Sequence, residues 1–472
     1  MRPRPARLSP TGHLLVWSCV LGLLALGPIS WAAAASVSPR ELFQLGGVGQ
    51  KELDTLVDGE PWSEANTPII RRMLYRMQRD VTPGDMEHWS HGSPNLKRLA
   101  QEPEAYRLEV FELRGRLVSV TPYALSHDAE RGGQPGTIWR CQVQLNPDGE
   151  LVEILVAKVP EAWGDEVPRD DSVGAFAFFL KQAQGGSEGP AACFLTERLA
   201  WYPETYLGQL GMDVGLLDEV LVEAPPRPGP NGEPPKINWE ARKLTETDHE
   251  CFYQMLSSVG SAQPEQLSRW AQGDLRELGE SGYSVVPLFN SPQTQQGRLV
   301  ELSGVARRIV PVRVAEDDVM RRFGLEEYYQ IYLFTDDSQD NPVVFCLTEL
   351  PEGLPLGDGP GFGEAMTVAG FFFKTWSYQN SAIADGTRPQ RQLAPLLIGR
   401  SAHWHPLNPP TMRTSTRIIG TVALLVALGV VWFVLRRFAR GDRNFERQVR
   451  RRRPLGMSQV DWETFEADGD DA

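Results

Sequence analysis

The sequence predicts a mainly β protein of the α+β class, with two OB-like five-stranded barrels behind helical lead-ins and one C-terminal transmembrane helix. Three observations carry this expectation. A series of residue blocks occurs twice in the same order, runs of Val, Ile, Phe and Tyr alternate with Gly, Pro, Asp and Asn, and one apolar segment of eighteen residues carries no charge.

The gross numbers agree with a globular body. The 472 residues are enough for about two or three domains. Hydrophobic residues at 41% and charged residues at 23% are an ordinary folded balance. The 37 prolines and 44 glycines favour turns over a helical bundle. A formal charge of -14 repels phosphate backbones and excludes nucleic acid as an expected partner.

Residues 1–35 read as a signal peptide or N-terminal anchor. Arg2, Arg4 and Arg7 precede an apolar run from Leu14 to Gly27, and Ala32 to Ala35 supply small residues for cleavage near Ala35. The alternative is retention of the run as an anchor. Cys19 lies in this run after the bulky Trp17, which does not fit a lipoprotein signal.

Residues 36–105 form the first helical lead-in and residues 204–296 a linker with the second. Pro83, Met86 and Trp89 match Pro264, Leu267 and Trp270 at one constant offset, after amphipathic stretches near 67–90 and 246–271. Leu53-Asp54 and Leu217-Asp218 precede them. The proline-rich stretch from Pro225 to Pro235 is expected to be a mobile linker.

The barrels are expected at 106–203 and 297–406. Phe111 to Tyr123 matches Val300 to Val312, with Gly115 opposite Gly304. The stretch from Thr137 to Pro160-Glu161 parallels Glu327 to Pro351-Glu352. Ala177 to Lys181 parallels Gly370 to Lys374, and Trp201-Tyr202-Pro203 parallels Trp404-His405-Pro406. In the second unit the expected strands are Leu299–Val310, Tyr328–Thr335, Val343–Thr348, Met366–Lys374 and Leu393–Gly399, with a hairpin turn from Asp336 to Asn341. A long first strand with a central glycine has the freedom to bend and pair with several neighbours.

This strand pattern resembles the OB-fold, a five-stranded Greek-key barrel. An OB barrel often carries a helix between its third and fourth strands, whereas Gly357 to Gly363 is rich in glycine and proline and is expected to be a loop. Another small antiparallel barrel or sandwich is the competing architecture. The whole layout also resembles single-pass envelope membrane proteins of the planctomycete type, and that resemblance implies no activity.

Residues 407–417 form a stalk after Pro406 that includes Pro409 and Pro410, and 418–435 form the membrane helix. Residues 436–472 form a tail whose first half holds nine arginines, from Arg436 to Arg453, which marks it as cytoplasmic. The body then faces outward whether or not the first segment is cleaved. Setting aside +3 from residues 1–35 and about +1 from the tail leaves about -18 for the external portion. The arginines suit anionic lipid headgroups. Trp462 and Phe465 sit in the acidic end of the tail, where a docking motif for a cytoplasmic partner competes with a plain solvated tail.

Catalytic signals are sparse. Gly185-Gly186-Ser187-Glu188-Gly189 has the spacing of a nucleophile elbow, but apolar strand-like residues follow and the second unit lacks the serine. The glycines at 357, 359, 361 and 363 do not have dinucleotide spacing. His88 with His91 and His403 with His405 are close pairs without an evident third ligand, so no metal and no cofactor are expected. Cys141, Cys193, Cys251 and Cys346 are widely spaced and read as free thiols.

The candidate ligand- or partner-binding set is Lys374, Trp376, Tyr378 and Arg391. The first three alternate to one face of a strand, and Arg388 and Arg391 add positive charge, a combination suited to a sugar, an anion or an acidic partner. The alternative is that Trp376 and Tyr378 cap the barrel bottom or pack on the helical lead-in. The expected function is a non-enzymatic, membrane-anchored, extracytoplasmic binding or scaffold protein of the cell envelope, with an envelope protein partner. The alternative is an envelope hydrolase acting on cell-wall or lipid-linked substrate.

Overall fold

A computed structural model describes residues 37–125, 137–146, 149–164, 170–183, 190–227, 233, 235–359, 361–380, 390–406, 424–433 and 436. Contacts divide the chain into one unit ending at His405 and a second beginning at Pro406. The expected signal segment, Ser187, Arg388 and the acidic tail lie outside the described residues.

In the first repeat, six strands run β1 (Val110–Ala124), β2 (Thr137–Leu145), β3 (Leu151–Lys158), β4 (Ser172–Gln182), β5 (Ala192–Arg198) and β6 (Ala200–Tyr202). Their order is β1-β2-β3-β5-β4-β6, and a further β1–β4 pairing closes the first five into a barrel. Closure depends on β1 changing partner along its length. Its first part pairs with β4 from Val110 to Arg116, and its second pairs with β2 from Gly115 onward. Gly115 stands at the crossover, and a Cβ there would lie 2.2 Å from the Gln144 carbonyl oxygen. Only glycine permits that approach.

The second repeat has β7 (Leu299–Arg313), β8 (Glu327–Phe334), β9 (Val343–Leu347), β10 (Gly357–Asp358), β11 (Glu364–Asn380), β12 (Gln390–Gly399) and β13 (Ala402–His405). The order β10-β7-β8-β9-β12-β11-β13, with an added β7–β11 pairing, closes the same five-strand circuit. Gly304 repeats the role of Gly115, at 2.3 Å from the Phe334 oxygen to a built Cβ. Both circuits contain one parallel pair, β3 with β5 and β9 with β12. Both also carry a bulge before the matched lysine, between Phe179 and Lys181 and between Phe372 and Lys374.

Each barrel has two cores. Inside the first lie Phe111, Leu113, Val143, Ile154, Phe179 and Phe194, and inside the second Leu302, Ile331, Leu333, Phe345, Phe372 and Leu397. The outer face of each is covered by helices. In the first, α1 (Thr67–Asp80) buries Ile69, Ile70, Met73, Leu74 and Met77 in a cluster with Phe178 and Leu180, and α2 (Pro83–Trp89) adds Met86. In the second, α3 (Glu246–Gly260) and α4 (Gln266–Leu278) bury Phe252, Met255, Leu256, Leu267 and Ala271 with Phe371 and Phe373. Each large apolar side chain removed from water contributes about 1.5–3 kcal/mol.

Some details depart from the sequence expectation. Gly357 and Asp358 form a two-residue strand on β7, inside the stretch expected to be a loop. A helix, α5 (Asp317–Phe323), separates β7 from β8. β11 runs to Asn380, six residues past the expected end at Lys374. No helix among the described residues is long and apolar enough to cross a membrane. Of the expected span 418–435, residues 424–433 are described, and they are helical.

Candidate functional site

Lys374, Trp376, Tyr378 and Arg391 meet protein partners. Lys374 is 1% exposed, and its Nζ donates to Asp248 Oδ2 at 2.9 Å and to the Lys243 carbonyl at 3.2 Å. Tyr378 is buried, and its hydroxyl donates to Gln392 at 2.6 Å. Trp376 packs on the core formed by β11 and the helices, and Arg391 reaches Glu240 at 3.3 Å. The bulge before Lys374 turns this row onto the second lead-in, which is the packing alternative weighed above. Lys181, the matched residue, is also buried, donating to the Glu60 carbonyl at 2.8 Å with its ammonium over the Trp62 ring.

The histidine pairs are similarly tied. His405 shares a hydrogen bond with Thr367 at 3.0 Å and His91 one with Glu109 at 3.0 Å. No cluster of three or more His, Cys, Asp or Glu suited to a metal occurs among the described residues. Cys141, Cys193, Cys251 and Cys346 are free and buried.

Two adjoining clefts border the first barrel. One cleft of about 680 Å³ is bordered by Val120 and Trp139 on β1 and β2, by Lys158 to Gly164 after β3, and by Arg198, Gly215, Asp218, Glu219 and Thr247. A second, of about 510 Å³, lies beside it and is bordered by Glu112, Arg114, Tyr202, Glu246, Glu250 and Arg322 among others. Lys158, Arg198, Glu219 and Thr247 border both. Thr247 and Arg322 come from the second repeat, so the walls join the two halves.

Beside the clefts lies an ion pair with its acidic partner buried. Arg198 Nη1 lies 2.5 Å from Asp213 Oδ2, and Asp213 is 1% exposed. The Asp213 carboxylate also accepts from Trp201 N at 2.9 Å and Gly215 N at 3.0 Å. Burial pushes its acidity toward the protonated form, while Arg198 and the two amides pull the other way. Gly215 makes the turn tight, since a Cβ there would sit 3.1 Å from Pro160. Asp218 accepts the Glu161 N–H at 2.8 Å and thereby ties the 3-10 turn Glu161–Trp163 to this wall.

Trp163 closes that turn. It is 2% exposed and stacks edge-on against Trp201 at 6.2 Å between ring centres. Its indole nitrogen has no hydrogen-bond partner among the described residues. Burial pushes the Asp218 carboxyl above its ordinary value, against the opposing Glu161 N–H bond. Among the described residues, neither cleft is lined by histidine, serine or cysteine.

Sequence reasoning did not single out these residues, because it looked for positions shared by both repeats. With Trp201 set against Trp404, Arg198 falls opposite Ser401, and with Pro160 set against Pro351, Trp163 falls opposite Leu354. The asymmetry between repeats was the available signal.

No family model matches the chain and no curated relative matches it. One solved structure, described as "Crystal structure of Ifi202 HINa domain in complex with 20bp dsDNA", is 8% identical and covers 62% of this chain and 94% of its own, with a TM-score of 0.13. A second, under the description "Molecular basis for abrogation of activation of pro-inflammatory cytokines", is 9% identical and covers 62% and 92%, with a TM-score of 0.13. A likeness at that score carries no argument for function.

Proposed function

We propose that the chain is a non-enzymatic binding protein of the cell envelope, made of two OB-type barrels held outside the cytoplasm by a single membrane helix at 418–435. The observation that carries the binding role is the pair of adjoining clefts on the first barrel, which share four bordering residues and are walled by both repeats. Their size falls in the range of roughly 300–1,000 Å³ that ligand sites occupy. Arg198 borders both clefts and its partner Asp213 the second. The apolar segment and the arginines after it support the anchor and its direction. The acidic body favours protein or glycan partners over nucleic acid.

The envelope-hydrolase reading finds one supporting feature, the raised Asp218 carboxyl as a proton donor. The Glu161 N–H bond opposes it, since that bond favours the charged form. Photocrosslinking in intact cells separates site from surface. A photoreactive residue at Thr247, beside the clefts, is expected to give saturable crosslinks, and one at Glu277 on α4 is not. Equal, unsaturable labelling from both positions contradicts a ligand site in the clefts.

A further inference from the structure

We infer that the unit ending at His405 is hinged. The first barrel with its lead-in and the second barrel with its lead-in are two bodies that meet at a carboxylate-latched seam and pivot at residues 203–205. A hinge there concerns the walls of the clefts and not what they hold, and so goes beyond the binding reading.

Apolar packing stops at the seam. The buried apolar residues of the first body form two clusters, none of whose members lies beyond Trp201. Those of the second form two others, none of whose members precedes Tyr206. Bodies in one chain move relative to each other unless the interface between them is large and apolar. The connection is also short. Tyr202 pairs with Ser172 at the end of the first barrel, and Tyr206 is already stacked on Trp270 of α4 at 4.6 Å. Only residues 203–205 stand between, and a few such residues can absorb the rotation of one body against another.

What crosses the seam is polar, and among the described residues each hydrogen bond or ion pair across it ends on a carboxylate. Arg198 and the Trp201 N–H meet Asp213, and the Glu161 N–H meets Asp218. Lys158 lies 3.8 Å from Glu219, and Arg322 on α5 lies 3.0 Å from Glu87 on α2. Asp213 caps the 3-10 helix Val214–Glu219 that carries Asp218 and Glu219, so one short helix of the second body holds most of the latch. Glu87, Asp218 and Glu219 are exposed. Pairs of that kind contribute about 1 kcal/mol or less each and weaken in salt. The buried Asp213 pair is the exception, but opening would return both of its charges to water, which offsets the attraction lost. Lys158 and Arg198 on one body face Glu219 and Thr247 on the other across both clefts. Rotation at the hinge therefore changes the width of both.

The test is a spin-label distance measurement on the full-length protein in detergent, in a Cys19→Ser background, the other native thiols being buried. Gln78→Cys with Glu246→Cys puts labels on opposite walls of the second cleft. Glu246→Cys with Glu277→Cys puts both on the second body, on α3 and α4. Each pair is measured in about 0.1 M and about 1 M salt, where charges are screened beyond roughly 10 Å and 3 Å. Both are measured again in a latch variant combining Glu87→Gln, Asp218→Asn and Glu219→Gln. The expected result is a longer and broader cross-seam distance in high salt and in the latch variant, with the second-body distance fixed. A cross-seam distance unchanged in both overturns the hinge. Equal changes in the two pairs also overturn it, since they place the movement inside the second body. No ligand is present, so neither outcome bears on the binding reading.

Discussion

Lys374 and Asp248 lie 2.9 Å apart with both side chains about 1% exposed, so neither charge has water to fall back on. Removing one partner leaves an uncompensated buried charge. Lys374→Met should cost roughly 3–5 kcal/mol in urea unfolding and leave affinity at the clefts unchanged. A loss below about 1 kcal/mol would contradict the structural role given to this lysine. Asp337 acts at the surface instead. Burial opposes its charge, but the Thr335 and Ser284 hydroxyls and the Val285 N–H hold its carboxyl below the ordinary 3.8. Its contribution to stability is therefore present above about pH 4 and lost as pH falls through the depressed folded value. Asp337→Asn should remove that acid-side slope from a melting-temperature profile, and an unchanged profile would contradict the assignment. The sequence offered Lys374 as a binding residue, on a strand face shared with Trp376 and Tyr378. It could not say that the bulge turns the lysine inward, because a bulge is set by pairing between strands distant in sequence.

At the scale of elements, the two crossover glycines make the sharpest case. Gly115 and Gly304 were legible as a matched pair in long first strands, and each permits one strand to serve two neighbours. Gly115→Ala or Gly304→Ala places a methyl against a backbone oxygen that cannot move without opening the barrel. Each should destabilise by about 1–3 kcal/mol in chemical unfolding, and a neutral result at both would show that the closure does not depend on them. The strand cores and helical faces were also readable, because period and turn residues are local signals. α5, a short helix between strands, was not. The clefts were invisible because their walls come from stretches far apart in sequence.

Across the unit that ends at His405, the repeats are fastened together. The segment after β6 contributes Leu207, Met212, Leu216, Leu217 and Val220 to the core under α3 and α4. Tyr206 stacks on Trp270 at 4.6 Å and donates to Asp274, and Arg322 on α5 reaches both Glu87 on α2 and Glu250 on α3. The anchoring itself is the central claim. The described native cysteines are buried, so an introduced thiol is the reporter of choice. Full-length protein in intact cells would carry Glu277→Cys on α4 or Ser458→Cys in the tail and be treated with a membrane-impermeant maleimide. An anchor in this orientation gives labelling of the Glu277→Cys variant in intact cells and of the Ser458→Cys variant only after permeabilisation. Labelling of the tail in intact cells, or of the body only after lysis, would contradict it.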